Sequence, residues 1–397
     1  MEQWLEQKVA ASDGATGDNF SYSVAIEGTT AVVGASNAAV NGQPGQGSVY
    51  VFTESDRTWN QTQKLVADDG TVGDAFGFSV SISGDTILVG APYATIGANG
   101  GQGAAYVFNQ SGGVWIQTQK LTNEDGDSNN NFGWSLSVSG SNALISAPVA
   151  PVGQNALQGK AYIFADSGGM WSQGPTLTAD DGTAFADFGY SVALDGTTAI
   201  VGAQGVNSYF GAAYIFDGTS GTWTQTAELV PDDGTTFEFF GISVALSGPN
   251  ALVGAYYQNV GGSAHQGAAY VFTDTGGTWS QAQKLTAAEG ADGDRFGLSV
   301  ALGGSTALVG AYFANGQRGA AYAFTEDTGH WTESTEVTAS DGATGDHFGN
   351  AVALSGDSAL IGAFDAGIDG RASQGAAYFY APSIDDTIFA NGFDSSP

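Results

Sequence analysis

The chain repeats one sequence pattern seven times, at a spacing of 52 or 56 residues. In its clearest copy an Asp-Gly pair at Asp69 is followed by Phe76-Gly77 and then by Gly90-Ala91-Pro92. The seven copies begin at Asp13, Asp69, Asp125, Asp181, Asp233, Glu289 and Asp341. A nearly constant period restricts the fold to architectures built from equivalent units, such as solenoids and propellers.

Each repeat contains four short runs with the character of a β-strand. In the second copy Phe78, Val80 and Ile82 alternate with serines, and a period of two is typical of a strand. Three further runs, 87–89, 104–108 and 115–121, are separated by turns rich in Gly, Ser and Asn. No segment shows a sustained helical period. Seven four-stranded units therefore predict an all-β fold, a seven-bladed β-propeller.

The two ends of the chain predict how the ring closes. The fourth run of each of the first six repeats carries a tryptophan: Trp59, Trp115, Trp171, Trp223, Trp279 and Trp331. The seventh repeat stops after its third run, and the missing strand resembles the N-terminal segment Trp4–Val9. We expect this strand to complete the last blade, which removes the exposed ends that a linear solenoid must cap. The repeated tryptophans are predicted to pack within the blades, and Trp134, outside the series, is predicted to fill the core.

The predicted domain is a propeller over residues 1–380, followed by a C-terminal tail over residues 381–397. The tail is either a loose terminus or a short docking peptide that could support self-association.

Four lysines recur on the outermost strand, where charge is expected to discourage edge pairing: Lys8, Lys64, Lys120 and Lys284.

Composition limits the partners and the cellular location. The chain has 40 Asp and Glu against 9 Lys and Arg, a net charge of −31, which argues against nucleic acid and anionic lipid as partners. It contains no cysteine and no apolar run long enough for a transmembrane helix. The protein is either cytosolic or exported, and an acidic, lysine-poor composition favours an extracellular or cell-surface protein whose export signal has been removed.

The repeated motifs resemble FG-GAP repeats, which form the blades of the integrin α-subunit propeller and of many bacterial surface proteins. The Phe-Gly pairs are Phe76-Gly77, Phe132-Gly133, Phe188-Gly189, Phe240-Gly241, Phe296-Gly297 and Phe348-Gly349. The resemblance covers residues 4–380, although the first copy has Phe20-Ser21 and the third has Ser146-Ala147-Pro148. It implies a propeller, whereas its implication for function is broad, since propellers serve adhesion, lectin and enzyme activities.

Calcium is the cofactor that the integrin resemblance suggests. The integrin-type calcium loop lies between the first two strands, but here that hairpin is short and poor in carboxylates, as at Glu27-Gly28-Thr29. A different acidic loop precedes each Phe-Gly pair, and its candidate metal ligands are Asp13, Asp18, Asp69, Asp74, Asp341 and Asp346. Either these aspartates shape turns, with the second one accepting backbone N–H bonds, or they form weak calcium sites.

The loops that enter the first strand and those that join the second and third strands are predicted to share one face. This is the usual ligand face of propellers, and loops that vary on a constant scaffold commonly carry specificity. The residue just before the Phe of each Phe-Gly motif, here called the slot, is predicted to ring the mouth of the central axis. The slot holds Asn19, Ala75, Asn131, Asp187, Phe239, Arg295 and His347.

Aromatic, Arg and His residues of the later blades form the predicted ligand-binding site: Phe239, Arg295, His347, Tyr256, Tyr257, His265, Tyr312, Arg318 and Arg371. Aromatic rings stack on sugars and apolar side chains, and Arg binds carboxylates through two hydrogen bonds. The site would recognise an extracellular protein or a polysaccharide. The alternative is that the rings only pack loop against loop and the arginines pair with local aspartates.

No catalytic residue is predicted, because Gly-x-Ser-x-Gly, His-Glu-x-x-His and phosphate-loop motifs are missing from the sequence. The sequence therefore favours a non-catalytic, secreted or cell-surface binding or adhesion propeller. One alternative is a polysaccharide lyase or glycosidase in which Tyr or His acts as a base beside Arg. Another is a structural module that assembles with itself on the cell surface.

Overall fold

A computed structural model describes residues 4–382. The first strand, β1, is Trp4–Val9. Blade 1 contains β2 (Phe20–Glu27), β3 (Thr30–Ala35), β4 (Ser48–Ser55) and β5 (Thr58–Leu65). Blade 2 contains β6 (Ser79–Ser83), β7 (Thr86–Ala91), β8 (Ala104–Ser111) and β9 (Val114–Leu121). Blade 3 contains β10 (Leu136–Ser139), β11 (Asn142–Ala147), β12 (Lys160–Asp166) and β13 (Trp171–Leu177).

The remaining blades follow the same order. Blade 4 contains β14 (Phe188–Asp195), β15 (Thr198–Ala203), the short helical turn α1 (Val206–Tyr209), β16 (Ala212–Asp217) and β17 (Thr224–Leu229). Blade 5 contains β18 (Val244–Ser247), β19 (Asn250–Ala255), β20 (Ala268–Asp274) and β21 (Trp279–Leu285). Blade 6 contains β22 (Ser299–Gly303), β23 (Thr306–Ala311), α2 (Ala314–Gln317), β24 (Ala320–Asp327) and β25 (His330–Val337). Blade 7 contains β26 (Val352–Ser355), β27 (Ser358–Ala363) and β28 (Ala376–Pro382).

Each blade is an antiparallel meander whose strand order follows the chain, as in β2-β3-β4-β5. Blade 7 has the order β26-β27-β28-β1, so β1 supplies its outermost strand, with Val9 opposite Ala377. The innermost strands of neighbouring blades contact one another around the ring, including β26 and β2. The predicted seven-bladed propeller, closed by the N-terminal strand, is confirmed. Most of the predicted tail lies outside the described residues.

The hydrophobic core lies between blades. Val32 of blade 1 packs with Phe76 and Val89 of blade 2. At the closure, Trp59 of blade 1 stacks on Phe379 of blade 7, with ring centroids 4.2 Å apart. Burial of apolar surface at every junction, at about 25 cal/mol per Å², therefore stabilises the closed ring. The tryptophans of the repeated series pack as predicted, against these interblade layers.

The Phe of the Phe-Gly motif packs inside its own blade, and the Gly of the Gly-Ala motif lies against the next blade. Phe76 is fully buried against the Tyr106 ring, whose centroid is 5.4 Å away. A Cβ atom added to Gly90 would lie 2.1 Å from the carbonyl oxygen of Gly133 in the next blade, so only glycine fits there. The first copy departs from the motif without losing the fold: Ser21 takes a φ of 73°, and its hydroxyl donates to a backbone carbonyl of blade 7.

Candidate binding face

Two sets of loops meet on one face of the ring, here called the loop face. At the junction of blades 1 and 2, the Ala75 N–H donates to the Gly45 carbonyl at 3.0 Å, and the Phe76 N–H donates to the Gln46 carbonyl at 2.8 Å. Equivalent backbone bonds recur at other junctions, as from Asn131 to Gly101. Each loop that enters a blade is therefore fastened to the loop between the second and third strands of the preceding blade.

All seven slot residues have a left-handed backbone, with φ between 53° and 60°. Asn and Asp tolerate this region, whereas Phe, Arg and His are uncommon there because their Cβ atom crowds the backbone. The slot side chains lie between loops of adjacent blades. Phe239, for example, contacts Tyr256 and Tyr257 of its own blade and Tyr209 of the preceding blade.

The mouth of the central channel is lined by different residues from those predicted. A cavity of about 430 Å³ opens there, surrounded by the residue that follows each Phe-Gly or Phe-Ser pair. These residues are Tyr22, Phe78, Trp134, Tyr190, Ile242, Leu298 and Asn350. The slot lies one layer outside, because its left-handed backbone directs the side chain between the loops. Trp134 is only partly buried at the mouth, so its predicted place in the core is wrong.

Four aromatic residues form an arc around half of this mouth. The Tyr22 and Phe78 centroids are 5.0 Å apart, those of Phe78 and Trp134 are 4.6 Å apart, and those of Trp134 and Tyr190 are 5.5 Å apart. Burial is the main cause that raises the pKa of Tyr22, to about 12. The arc could have been found in the sequence, since four successive repeats place an aromatic residue directly after the Phe-Gly or Phe-Ser pair.

Arg295 is held by aromatic rings from two blades. Its guanidinium carbon lies 4.2 Å from the Phe313 centroid and 5.1 Å from the Tyr257 centroid. The Nη1 group also donates to the Tyr312 hydroxyl at 2.7 Å. The cation is therefore oriented by cation–π contacts and a hydrogen bond, without an acidic partner within 4 Å among the described residues.

His347 stacks between two aromatic rings, with centroid distances of 5.2 Å to Phe313 and 5.7 Å to Phe364. Its Nδ1 atom lies 2.8 Å from Oδ2 of Asp365. Its Nε2 atom is buried and has no hydrogen-bond partner in the described part of the chain. This geometry holds the ring in place but gives Nε2 no access to a substrate. Phe364 also contacts Tyr22 at 5.9 Å and so joins this cluster to the mouth.

Seven of the nine predicted ligand-binding residues form one chain of contacts. His265 contacts Tyr257 at 4.5 Å, and Tyr312 contacts His347 at 5.6 Å, so the series is Phe239, Tyr256, Tyr257, His265, Arg295, Tyr312 and His347. With Phe313 and Phe364 these residues are called the aromatic belt. Phe313 and Phe364 are the links that connect Arg295 and His347 to each other and to the mouth.

The structure does not bring Arg318 and Arg371 into the belt. Arg318 lines a separate cavity with Glu336 and Ser340. Arg371 donates from Nη1 to Oε1 of Gln374 at 3.3 Å, within its own loop. Both arginines are exposed, and their sequence positions alone could not show that they lie apart.

The first aspartate of the acidic loop anchors that loop to its own blade. Asp13 accepts a hydrogen bond from the Tyr50 hydroxyl at 2.8 Å and pairs with Lys64 at 2.6 Å. Burial would raise the pKa of Asp13, but the Lys64 and Tyr50 contacts outweigh it and lower the pKa. The other such ion pairs are Lys120–Asp69, Lys160–Asp125, Lys284–Asp233 and Lys8–Asp341. Four outer-strand lysines, together with Lys160 of β12, thus pair with these aspartates, a role that the edge-protection interpretation missed.

The second aspartate shapes the turn. Oδ2 of Asp18 accepts from the Ala15 N–H at 2.7 Å, and the same bond joins Asp74 to Thr71; Asp346 repeats it with Ala343. Within residues 4–382 no three His, Asp or Glu side chains are grouped to hold a metal ion. The turn interpretation accounts for these contacts, and calcium binding stays a prediction.

Asp187, the slot residue of blade 4, is a partly buried carboxyl without an ion pair in the described structure. Burial raises its pKa to about 6, and the side chain of Gln204 offsets this only in part. Burial also raises the pKa of Tyr190, with the charge of Asp187 adding to the effect. Asp187 therefore adds a carboxyl that holds its proton unusually tightly behind the Tyr190 side of the mouth.

Comparison with known proteins gives a family. A family model described as FG-GAP repeat matches residues 4–52, 59–108, 115–164, 171–216, 223–272, 279–324 and 331–380. No curated protein matches the chain. Across residues 4–382, no helix is long and apolar enough to cross a membrane. Such repeats are typical of extracellular and surface proteins, and the fold supports a binding or scaffold module.

Proposed function

Because this chain belongs to the FG-GAP repeat family, we propose that it is a non-catalytic, secreted or cell-surface propeller that binds a protein or glycan through its loop face. The ring supplies a rigid platform, and the aromatic belt together with the channel mouth supplies the contacts. The observation that carries this proposal is the continuous series of partly exposed rings with Arg295 at its centre. Such rings fit the apolar face of a sugar or of a peptide side chain.

The backbone of the slot supports a role for its side chains in binding. A left-handed conformation costs a non-glycine residue on the order of 1–2 kcal/mol, yet Phe239, Arg295 and His347 all adopt it. Glycine would satisfy the backbone at lower cost. Large side chains at these positions therefore need a compensating role, which we assign to building the aromatic belt.

The environment of His347 argues against the polysaccharide-active alternative. A His–Asp pair at 2.8 Å resembles the base and its orienting partner in hydrolases. However, a general base must reach the substrate directly or through one water molecule, and Nε2 of His347 is buried. We infer that His347 positions the belt. The self-assembly alternative rests on the tail, which lies outside the described residues.

A binding screen tests the proposal. Wild-type protein and an Arg295→Met, Phe313→Ala variant are applied to a glycan array and to immobilised extracellular matrix proteins. We expect a wild-type ligand whose affinity falls at least about tenfold in the variant, since buried Arg and aromatic anchors dominate interfaces. The matched control is Arg57→Met, which removes an arginine from the turn between β4 and β5.

Two results would contradict the proposal. One is a ligand whose affinity is the same for wild type and for the Arg295→Met, Phe313→Ala variant. The other is release of unsaturated products from acidic polysaccharide, which would establish a lyase instead. Export is tested separately, by locating the protein with an antibody in fractionated cells and culture medium of its natural source.

A further inference from the structure

The acidic loops share one position with a positive φ, four residues after the first acid. Four repeats have glycine there, namely Gly17, Gly73, Gly293 and Gly345, and one has Asn129. The two neighbouring repeats of blades 4 and 5 instead have Phe185, with φ 65°, and Phe237, with φ 68°. A bulky side chain is strained in this region, whereas glycine adopts it freely.

Both phenylalanines are also unusually exposed, at 59% for Phe185 and 58% for Phe237. Phe237 stacks on Tyr209 with centroids 6.2 Å apart, and Tyr209 is itself 40% exposed. On the other side, the Phe185 N–H donates to the Ala156 carbonyl at 2.9 Å, next to the exposed Leu157. We call Leu157, Phe185, Tyr209 and Phe237 the Phe patch.

The fold does not explain the Phe patch. Each phenylalanine occupies a strained backbone position and leaves most of its ring in water. It therefore neither relaxes the turn nor contributes buried apolar surface to the hydrophobic core. Strained residues that persist in a structure cluster at functional sites. Leu157 with Phe185, and Tyr209 with Phe237, place exposed apolar side chains at two successive blade junctions, and grouped exposed apolar residues mark interaction sites. Together the two observations indicate that another molecule covers the patch.

Carboxylates without ion pairs lie in the acidic loops that carry Phe185 and Phe237 and on the outer strand of blade 4. The loop that carries Phe185 also carries Asp180 and Asp181, and Asp232 precedes Phe237 in the next acidic loop. Blade 4 has Glu228 at the outer-strand position where four other blades have lysine. None of these four carboxylates forms an ion pair within residues 4–382. The surface around the patch is therefore negative as well as apolar.

We propose that the Phe patch is a docking site for a basic protein segment that carries large apolar side chains. The apolar side chains would cover Phe185 and Phe237, and the partner's Lys or Arg residues would pair with Asp180, Asp181 and Asp232. A second copy of this chain is a poor occupant, because it carries the same −31 charge. The inference rests on the proposed function and deepens it by adding a contact area beside the belt, which Tyr209 joins to Phe239, and by naming the chemistry of the partner.

The test restores the glycine of the other repeats. The variant Phe185→Gly, Phe237→Gly removes the rings and leaves the net charge unchanged. The matched control is Val72→Gly, which deletes a side chain that is 60% exposed in the acidic loop of blade 2. The probe is a short synthetic peptide of tryptophans and lysines, together with the same peptide bearing glutamate in place of every lysine. Affinity is measured by calorimetry at low and at physiological salt, and Tm by thermal unfolding.

We expect wild type and Val72→Gly to bind the lysine peptide equally, with affinity that falls as salt rises, and not to bind the glutamate peptide. The double glycine variant should bind at least about tenfold more weakly, with a Tm equal to or above that of wild type because the strain is relieved.

Four results would overturn the inference. Equal binding of the lysine peptide to wild type and to the double variant would mean that the peptide binds through the net negative charge of the protein and not through the Phe patch. A clearly lower Tm of the double variant would mean that the phenylalanines serve the fold. Equal binding of the lysine and glutamate peptides would contradict the proposal that the partner is basic. If the Arg295→Met, Phe313→Ala variant loses its ligand while the double glycine variant keeps it, the proposed function stands and this inference fails.

Discussion

Arg295 shows how closely opposing contributions balance at a single residue of the loop face. Its left-handed backbone, with φ 60°, costs on the order of 1–2 kcal/mol. The cation–π contacts with Phe313 and Tyr257 contribute about 0.5–1 kcal/mol each at partly exposed sites, and a hydrogen bond such as that to Tyr312 contributes about 1 kcal/mol. The favourable terms exceed the backbone cost by only about 1 kcal/mol. The residue therefore adds little stability, and its orientation is the property that matters.

Asp187 gives a residue-scale prediction about pH. Its native pKa, about 6, lies above the value of about 4 in an unfolded chain, so the native state holds the proton more tightly. The resulting stabilisation is fully present below about pH 4 and is lost as the pH rises through 6. The groups that face the carboxyl are Tyr190 and Gln204. At pH 8 we expect the free energy of unfolding of Asp187→Asn to be about 1 kcal/mol higher than that of wild type, after allowance for partial exposure. At pH 4 the two free energies of unfolding should be equal.

The measurement is urea-induced unfolding over a pH series, and Asp13→Asn is the control with the opposite sign. The pKa of Asp13 is lowered in the native state, so its contribution is present above the unfolded pKa and is lost as the pH falls through the native value. Asp13→Asn should therefore be less stable than wild type at pH 7, and the deficit should shrink in acid. A difference for Asp187→Asn that does not vary with pH would contradict the assignment.

At the scale of strands, side-chain amides fasten the outermost strand of one blade to that of the next. Nε2 of Gln119 donates to the Trp171 carbonyl at 2.7 Å, and Oε1 accepts from the Trp171 N–H at 2.9 Å. The same pair of bonds joins Gln7 to Trp59, Gln63 to Trp115 and Gln283 to Trp331. Among the described strands, no backbone ladder joins the outer strands of neighbouring blades, and these amides connect them instead.

Removal of one such amide tests this element-scale contact. We expect Gln119→Ala to lower the free energy of unfolding by about 1–3 kcal/mol, because two backbone groups of Trp171 lose their partners. The exposed Gln110 of the same blade is the control, and Gln110→Ala should change stability by less than about 0.5 kcal/mol. Chemical denaturation measures both. Equal effects of the two substitutions would show that the amide bonds contribute nothing specific.

For the whole molecule, stability depends on closure by β1. This strand pairs with β28, and Lys8 forms the ion pair with Asp341 that other blades form within continuous sequence. Deletion of residues 1–9 should leave β28 as an open edge, lower Tm and cause aggregation. Thermal unfolding with light scattering measures both effects.

A circular permutant tests whether the stability depends on the pairing of β1 with β28 or on the position of β1 at the N-terminus. In it, residues 10–382 are followed by a two-residue turn with the sequence of Asp56-Arg57, which joins β4 to β5, and then by residues 4–9. Blade 7 then has the same chain order as the others, so the permutant should melt close to wild type. A permutant as unstable as the deletion would contradict the assignment of β1 as the closing strand.

The sequence by itself determined the number of blades, the strands and the closure by Trp4–Val9, because each of these follows from local patterns that repeat seven times. It also indicated which loops share a face. It could not place the slot relative to the mouth, because that depends on the sign of φ and on the packing of one blade against the next. The same limit applies to Trp134, to the separation of Arg318 from Arg295, and to the pairing of lysines with acidic loops. Such contacts join residues far apart in sequence, and only the closed ring brings them together.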